Sequence, residues 1–232
     1  MDRQRLPAGE KIAKEKETIM KYAKHFLFFL ITVCFAGSVL AQDYDMDDSR
    51  RKTESFERFH TKDIRADLAT FTLSGIGEGV GALPLEKITY TSLGKDSIVF
   101  EGKGIKAEVK IAPFDPTKHK LSYDDKYLVR IDHKPYYGNY SKMPKTEISS
   151  VTLIIRGDTV AIPPAVYSDL FNLNFTYNDK GVERTTDAVY LSKMGERVYI
   201  YLFSKDRTGS YEVTWIIQDR RYLRRVLDYG FM

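Results

Sequence analysis

Cysteine is almost absent from this chain, because Cys34 is the only one among 232 residues. It lies in an apolar segment that we expect to be removed, so the remaining domain has no disulfide and must be held together by packing. The same absence excludes a thiol nucleophile and a cysteine-ligated metal in that domain.

Histidine is also scarce, with four in the whole chain. The three that follow the apolar segment, His60, His119 and His133, lack the HxH or HExxH spacing of zinc sites. No GxSxG sequence marks a nucleophilic serine. We therefore predict no metal and no cofactor, and no motif indicates an enzyme.

Only one long apolar run occurs, from Phe26 to Ala41 (FLFFLITVCFAGSVLA). Lys21 and Lys24 precede it and an acidic segment follows, which is the layout of a secretory signal peptide. Its sixteen residues are fewer than the roughly 20 that a membrane-spanning helix needs. We predict a signal peptide over 1–41, cleaved before Gln42, with Met20 as a possible true start.

Removal of this segment changes the charge balance. Residues 1–41 hold seven of the 36 basic and four of the 32 acidic residues, which leaves 29 basic and 28 acidic residues and a net charge of +1. A nearly neutral surface gives no electrostatic reason to expect a nucleic acid partner. We expect a periplasmic or extracellular protein with no membrane span after cleavage, and nothing indicates its oligomeric state.

The mature chain begins with a polar stretch, 42–60, that predicts a tail or a short helix. Acidic residues at 43, 45, 47 and 54 partly match the spacing of a calcium loop, but Asp48 stands where that loop needs glycine, so no calcium site is predicted. From 61 to 232 no linker or repeat is visible. This indicates one β-rich domain, with a division near Pro144 as the alternative.

Alternation of apolar and charged side chains in 105–111 (IKAEVKI) indicates a strand with one buried face. The segments 151–155 (VTLII) and 198–203 (VYIYLF) are apolar throughout, which predicts central strands covered on both sides and hence a second layer. The predicted fold is mainly β: an antiparallel β-sandwich or barrel-like sheets with one or two short helices.

Turn residues divide this domain into short elements. A two-residue connection at Gly157-Asp158 and another near 102–104 predict hairpins, and a glycine-rich connection over 75–81 is expected to be a hairpin loop as well. A short helix is expected after Pro163-Pro164. The predicted strands are 67–74, 86–93, 97–101, 104–112, 126–133, 149–156, 159–162, 187–193, 196–204, 210–218 and 221–228.

Two surface patches are candidate sites. Tyr136, Tyr137 and Tyr140 concentrate aromatic rings in a loop (KPYYGNYSK), where they could stack on a sugar face or fold back onto the sheet. A second patch could contact an anionic ligand or form surface ion pairs. It consists of Arg220, Arg221, Arg224 and Arg225 in RRYLRR.

These features favour an exported, non-catalytic binding or structural protein that recognises a glycan or a partner protein of the cell envelope. The alternative is a secreted hydrolase whose carboxylates meet only in the fold. For that alternative we expect Asp124, Asp125 or Asp132 to face Glu101 or Glu147. A third possibility, a scaffold without a small ligand, predicts a large flat apolar patch.

Overall fold

A computed structural model describes residues 54–139, 141–205 and 209–231. Within these ranges the chain is mainly β and all the strand pairs are antiparallel, in two five-stranded sheets and two separate hairpins that do not close into a barrel. The prediction of a mainly β, antiparallel fold is confirmed. The predicted signal peptide, the tail as far as residue 53 and Tyr140 lie outside the described residues.

Fourteen strands are present in the described ranges, together with one α-helix, α1 (Lys62–Ala69), and short 3-10 turns at Phe56–Arg58, Pro116–Lys118 and Pro164–Val166. In chain order the strands are β1 (Glu86–Ile88), β2 (Tyr90–Leu93), β3 (Ser97–Gly102), β4 (Ile105–Pro113), β5 (Leu121–Asp124), β6 (Tyr127–Ile131), β7 (Thr146–Ile155), β8 (Asp158–Val160), β9 (Tyr177–Asp179), β10 (Val182–Arg184), β11 (Ala188–Leu191), β12 (Arg197–Ser204), β13 (Tyr211–Gln218) and β14 (Arg221–Tyr229).

The strands are distributed between the sheets in a simple way. Sheet 1 has the order β1-β11-β12-β13-β14, and sheet 2 has the order β2-β3-β4-β7-β8. The remaining strands form the hairpins β5–β6 and β9–β10. Both hairpins therefore lie outside the two five-stranded sheets, and the β9–β10 hairpin borders the candidate site described below.

The centre of sheet 1 is buried on both faces, as the apolar segment 198–203 predicted. On one face Tyr199 of β12 packs with Leu68 of α1 in a buried cluster. On the other face Ile200 pairs with Trp215 of β13, and both side chains are fully buried. Two covered faces explain why almost all the residues of β12 and β13 are apolar or hydrogen-bonded.

Sheet 2 has only one buried face. In β7 alternate side chains are buried, but Thr152 and Ile154 are exposed, so the prediction that 151–155 is covered on both sides is wrong. The buried face points toward sheet 1. At Gly102 of β3 an added Cβ would lie only 3.4 Å from a methyl of Ile88 on β1.

The predicted strand 67–74 is wrong, because its first three residues belong to α1. Ile64 and Leu68 are four residues apart and buried on one side of this helix. The β-branched residues that suggested a strand instead end the helix. The hydroxyl of Thr70 donates to the carbonyl of Asp67, and that of Thr72 donates to the carbonyl of Leu68, which adds side-chain hydrogen bonds to the backbone hydrogen bonds of the last turn.

The glycine-rich connection also differs from its prediction, because it joins α1 to β1 rather than two paired strands. Its backbone lies against the helix: a Cβ added to Gly79 would be 2.0 Å from the carbonyl oxygen of Ala69. The buried carboxylate of Glu212 on β13 accepts hydrogen bonds from the N–H groups of Leu73 and Ser74 at 2.7 and 2.8 Å. Close approach, rather than flexibility, requires glycine at position 79.

Smaller corrections follow from local geometry. The predicted strand 86–93 is divided at Thr89 into β1 and β2, which belong to different sheets. After Pro163 only one 3-10 turn forms, and the following apolar side chains, such as Phe171, are buried without regular structure. The short strands β5, β9 and β10 were not predicted, because few of their residues are apolar. The β7–β8 turn is Arg156-Gly157, one residue earlier than expected.

Candidate functional site

A cleft of about 350 Å³ lies between the edge strand β2 of sheet 2 and the β9–β10 hairpin. This volume falls within the roughly 300–1,000 Å³ of small-ligand sites. The apolar part of its wall comes from Tyr90, Leu93 and Tyr177. The polar part comes from Thr176, Glu183, Arg184 and Thr185. We call this region the tyrosine cleft.

A bulge in β2 places Tyr90 and Leu93 on the same face of the strand. Tyr90 pairs with Phe100 and Leu93 pairs with Ile98, and the register shifts between Tyr90 and Ser92. Directly opposed residues of antiparallel strands point to the same side. Because Phe100 and Ile98 both point into the core, their partners on β2 share that side, but at the edge of the sheet. The Tyr90 ring is therefore 44% exposed.

The opposite wall is held by the β9–β10 hairpin. Its two-residue turn contains Gly181 at a positive φ of 87°, and the Gly181 N–H donates to Asn178 at 2.8 Å. An ion pair joins Arg184 to Asp179 across the hairpin at 3.0 Å. These contacts position Tyr177, whose ring is half-buried.

The cleft combines ring faces with hydrogen-bonding groups of both kinds. The Thr176 hydroxyl donates to Glu183 at 2.8 Å, and the ammonium of Lys205 lies 4.9 Å from the centroid of the Tyr177 ring. Hydroxyl, carboxylate and guanidinium groups can donate to or accept from neutral hydroxyl groups, while the two tyrosine rings provide flat apolar surfaces. The arrangement suits a polar ligand with apolar faces.

No local pattern in the sequence predicts this cleft. The predicted strand 86–93 contains Tyr90, and no hairpin is predicted over 177–184. The Lys180-Gly181 turn between YND and VER was the available signal. It is weak, because the flanking strands have few apolar residues.

The predicted tyrosine patch is located in the interior instead. Tyr136 and Tyr137 are only 5% and 9% exposed. The Tyr136 hydroxyl donates to the carbonyls of Leu128 and Lys142, and its ring contacts Phe171 edge to face. A buried ring offers no face for stacking, so ligand binding there stays a prediction that requires this loop to open. Tyr140 lies outside the described residues.

The four predicted arginines do not form one patch. Arg220 pairs with Asp158 at 2.8 Å, Arg221 is exposed, and the guanidinium of Arg224 lies 4.8 Å from the centroid of the Phe59 ring. Neighbouring residues of a strand point to opposite faces, and Arg225 accordingly points into the protein.

Arg225 is 4% exposed and belongs to a buried ion-pair network. Its two terminal nitrogens donate to the two carboxylate oxygens of Asp169 at 2.6 and 2.8 Å, and its Nε donates to Glu54 at 2.6 Å. A fourth hydrogen bond, 2.9 Å long, reaches the carbonyl of Val166. The guanidinium nitrogens of Arg225 are thus already hydrogen-bonded within the protein, and an anionic ligand would have to displace these partners.

Two of the carboxylates named for a hydrolase are brought together, with a histidine between them. Nδ1 of His119 lies 2.7 Å from Asp132, and its Nε2 lies 2.9 Å from Glu147. The imidazole is stacked on Phe114 with 4.7 Å between ring centroids. Glu101 instead pairs with Lys106 on the surface.

Electrostatics favour the charged form of this histidine. Burial alone would lower the pKa of His119, but the hydrogen bonds and charges of Asp132 and Glu147 outweigh it and raise that pKa. Burial also opposes the charge of Asp132, yet the Lys120 N–H and His119 hold the pKa of Asp132 below its ordinary value. Because both ring nitrogens are hydrogen-bonded, His119 has no free nitrogen to act as a base or nucleophile.

Exposed apolar side chains, the feature expected of a scaffold, are concentrated in the glycine-rich connection. Ile76, Val80 and Leu83 are 66%, 84% and 71% exposed. In the described ranges no group of three or more histidine, cysteine, aspartate or glutamate side chains is arranged to hold a metal ion. Nor does any helix in those ranges have the length and apolar character to cross a membrane.

No protein-family model, no curated protein and no solved structure matches this chain. The candidate site therefore rests on the geometry of the cleft.

Proposed function

We propose that this chain is an exported, non-catalytic binding protein and that the tyrosine cleft binds a carbohydrate. The observation that supports the proposal most directly is the pair of tyrosines, Tyr90 and Tyr177, in the wall of a cleft that also carries neutral and charged hydrogen-bonding groups. A sugar ring has an apolar C–H face that stacks on an aromatic ring and hydroxyl groups around its edge.

The charges of the cleft favour a neutral sugar over a strongly charged one. Arg184 is already paired with Asp179, and Glu183 accepts from Thr176. Each side chain can still form hydrogen bonds with hydroxyl groups. The charge of Arg184 is compensated by Asp179, and the carboxylate of Glu183 would repel an acidic sugar. The expected ligand is thus a neutral glycan.

Export would place the cleft where glycans of the cell envelope or of the surroundings occur. The apolar segment from Phe26 to Ala41 and the acidic residues after it are the sequence features that support export. Terminal sequencing of the protein recovered outside the cytoplasm should give Gln42 as the first residue. A chain that retains residues upstream of Gln42 would contradict the proposed cleavage.

A carbohydrate panel tests the binding site. We expect the purified protein to bind at least one neutral oligosaccharide, and Tyr90→Ala with Tyr177→Ala to weaken that binding at least tenfold, or about 1.4 kcal/mol. The matched control is Tyr123→Ala with Tyr127→Ala, since both of these rings are about half exposed and lie on the β5–β6 hairpin.

Two outcomes would reject the proposed site. One is the absence of binding across the panel, and the other is equal binding by the cleft variant and the parent protein. Shortening of a bound oligosaccharide during incubation would favour the hydrolase instead. In that case Glu147→Gln should abolish the shortening.

A further inference from the structure

A second cleft, of about 230 Å³, lies at the end of the domain where hairpin turns from both sheets meet. The β3–β4 and β7–β8 turns border it from sheet 2, and the β11–β12 and β13–β14 turns border it from sheet 1. This turn cleft is separate from the tyrosine cleft, because the two share no lining residue.

Its inner surface is apolar. Ile105, Ile155 and Leu191 line the cleft and are each less than 9% exposed, so they belong to the core and present only their edges to the cavity. Desolvated surface of this kind favours a small aliphatic group. The volume is below the range for drug-sized ligands, which limits the occupant to a small molecule.

Charged side chains surround this apolar floor, and most of them are paired with residues outside the cleft. Lys103 pairs with Glu86 at 2.9 Å, and Glu196 pairs with Arg197 at 3.0 Å. Arg220 likewise pairs with a carboxylate on β8. The charges of these three side chains are thus largely neutralised within the protein.

Arg156 and Asp219 differ from the others. Both line the cleft, and neither forms an ion pair with any other residue in the described ranges. Arg156 is held in place by its backbone: its N–H donates to the carbonyl of Gly104 at 2.6 Å, and its Cγ would be 3.5 Å from a Cβ on Gly104. One uncompensated cation and one uncompensated anion therefore border the same apolar floor.

The backbone conformation of these turns fixes where Arg156 and Asp219 leave the chain. Arg156 and Asp219 have φ values of 54° and 50°, in the left-handed region, and Arg220 follows with a φ of 60°. The second position of such a turn strongly favours glycine, and Arg220 occupies it. Lys103 and Lys180, at the first position of their own hairpin turns, have similar φ values of 54° and 53°, so the conformation of Arg156 and Asp219 follows from the type of turn.

We propose that the turn cleft binds a free α-amino acid with an aliphatic side chain. Its carboxylate would pair with Arg156 through two parallel hydrogen bonds, and its ammonium group would pair with Asp219. Its side chain would lie on the floor formed by Ile105, Ile155 and Leu191. An anion without an ammonium group would face the uncompensated charge of Asp219, and a cation without a carboxylate would face that of Arg156.

Calorimetric titration of the purified protein, using leucine as the probe, tests this assignment. We expect leucine to bind, and leucinamide, N-acetyl-leucine and glycine each to bind at least tenfold more weakly, because each lacks one of the three recognised groups. This comparison needs no variant. Equal binding of the amide, the acetyl derivative and leucine, or no heat from leucine at millimolar concentration, would overturn the proposal.

Variants give an independent test. Arg156→Gln and Asp219→Asn should each weaken leucine binding at least tenfold. The matched control Arg221→Gln, which removes an exposed arginine outside the cleft, should leave binding unchanged. Tyr90→Ala should also leave it unchanged, which distinguishes this site from the proposed carbohydrate site. Leucine binding by Arg156→Gln at the affinity of the parent protein would overturn the assignment.

Discussion

Replacement of Arg225 by methionine tests the most highly charged part of the core. The guanidinium is enclosed by Asp169, Glu54 and the carbonyl of Val166, and the two carboxylates are themselves largely buried. Methionine has a comparable length and no charge. The substitution therefore leaves two neighbouring carboxylates in the interior without a cation.

The size of the effect follows from desolvation. Breaking a buried ion pair by removing one partner costs about 3–5 kcal/mol. Domains of this kind have a total stability of about 5–15 kcal/mol, so about a fifth or more of the stability is at risk. Burial already raises the pKa of Glu54 with the arginine in place, which indicates that the carboxylate depends on Arg225 for its charge.

The stability lost in Arg225→Met should depend on pH in a definite direction. Without Arg225, the burial that already raises the pKa of Glu54 is no longer opposed by the arginine, so the folded state of the variant should bind a proton more readily. The deficit of the variant should be greatest at pH 7 and should shrink as the pH falls toward 5. In the parent protein the arginine opposes the rise in the pKa of Glu54, so a smaller recovery is expected.

Urea unfolding of the parent protein, Arg225→Met and Arg224→Met at pH 7 and pH 5 measures these differences. Arg224→Met is the matched control, since this neighbouring arginine is exposed and lies on the Phe59 ring; its loss should be about 0.5–1 kcal/mol at either pH. A loss below 1 kcal/mol for Arg225→Met, or a loss that does not change with pH, would refute the reasoning.

Three further predictions concern stability and can be measured by the same unfolding assay. Gly79→Ala should destabilise the protein by about 1–3 kcal/mol, because the new methyl would lie 2.0 Å from the Ala69 carbonyl oxygen. The control Gly77→Ala meets nothing within 4 Å, and its stability should be within about 0.5 kcal/mol of the parent; equal losses for the two variants would contradict the close approach at Gly79. Glu212→Gln should lower the free energy of unfolding by about 1–3 kcal/mol, since an amide cannot accept all three hydrogen bonds that the carboxylate accepts from two backbone N–H groups and a tyrosine hydroxyl. An unchanged free energy of unfolding would contradict this. His119→Gln should destabilise the protein more at pH 6 than at pH 9. A histidine whose pKa is raised in the folded state stabilises that state fully below its unfolded pKa of about 6.5, and this contribution is lost as the pH rises through the folded pKa. A loss of stability that is the same at both pH values would argue against a charged imidazole.

Much of the sheet could be predicted, because strands with a buried face carry a period of two. The alternation in 105–111 lies within β4, and the uninterrupted apolar run 198–203 lies within β12, at the centre of sheet 1. Prediction failed where side chains satisfy local backbone groups. The hydroxyls of Thr70 and Thr72 end α1, although the same residues favour strands elsewhere.

The candidate sites were less predictable than the strands. Tyr136, Tyr137 and Arg225 have residue types typical of binding sites, yet the fold buries all three. Conversely, Tyr90 is exposed toward a cleft only because a bulge changes the phase of an edge strand. Neither burial nor that bulge leaves a local signal in the sequence.

Sequence alone determined the class of fold and the absence of disulfides from the region after residue 41, and it predicts an export segment, because each depends on composition or on short-range periodicity. Only the tertiary structure decided which charged and aromatic side chains share a cleft and which are enclosed. The physical reason is distance along the chain: Tyr90 and Tyr177 are separated by 87 residues, and Arg156 and Asp219 by 63, so their proximity results from sheet pairing and packing rather than from any local pattern.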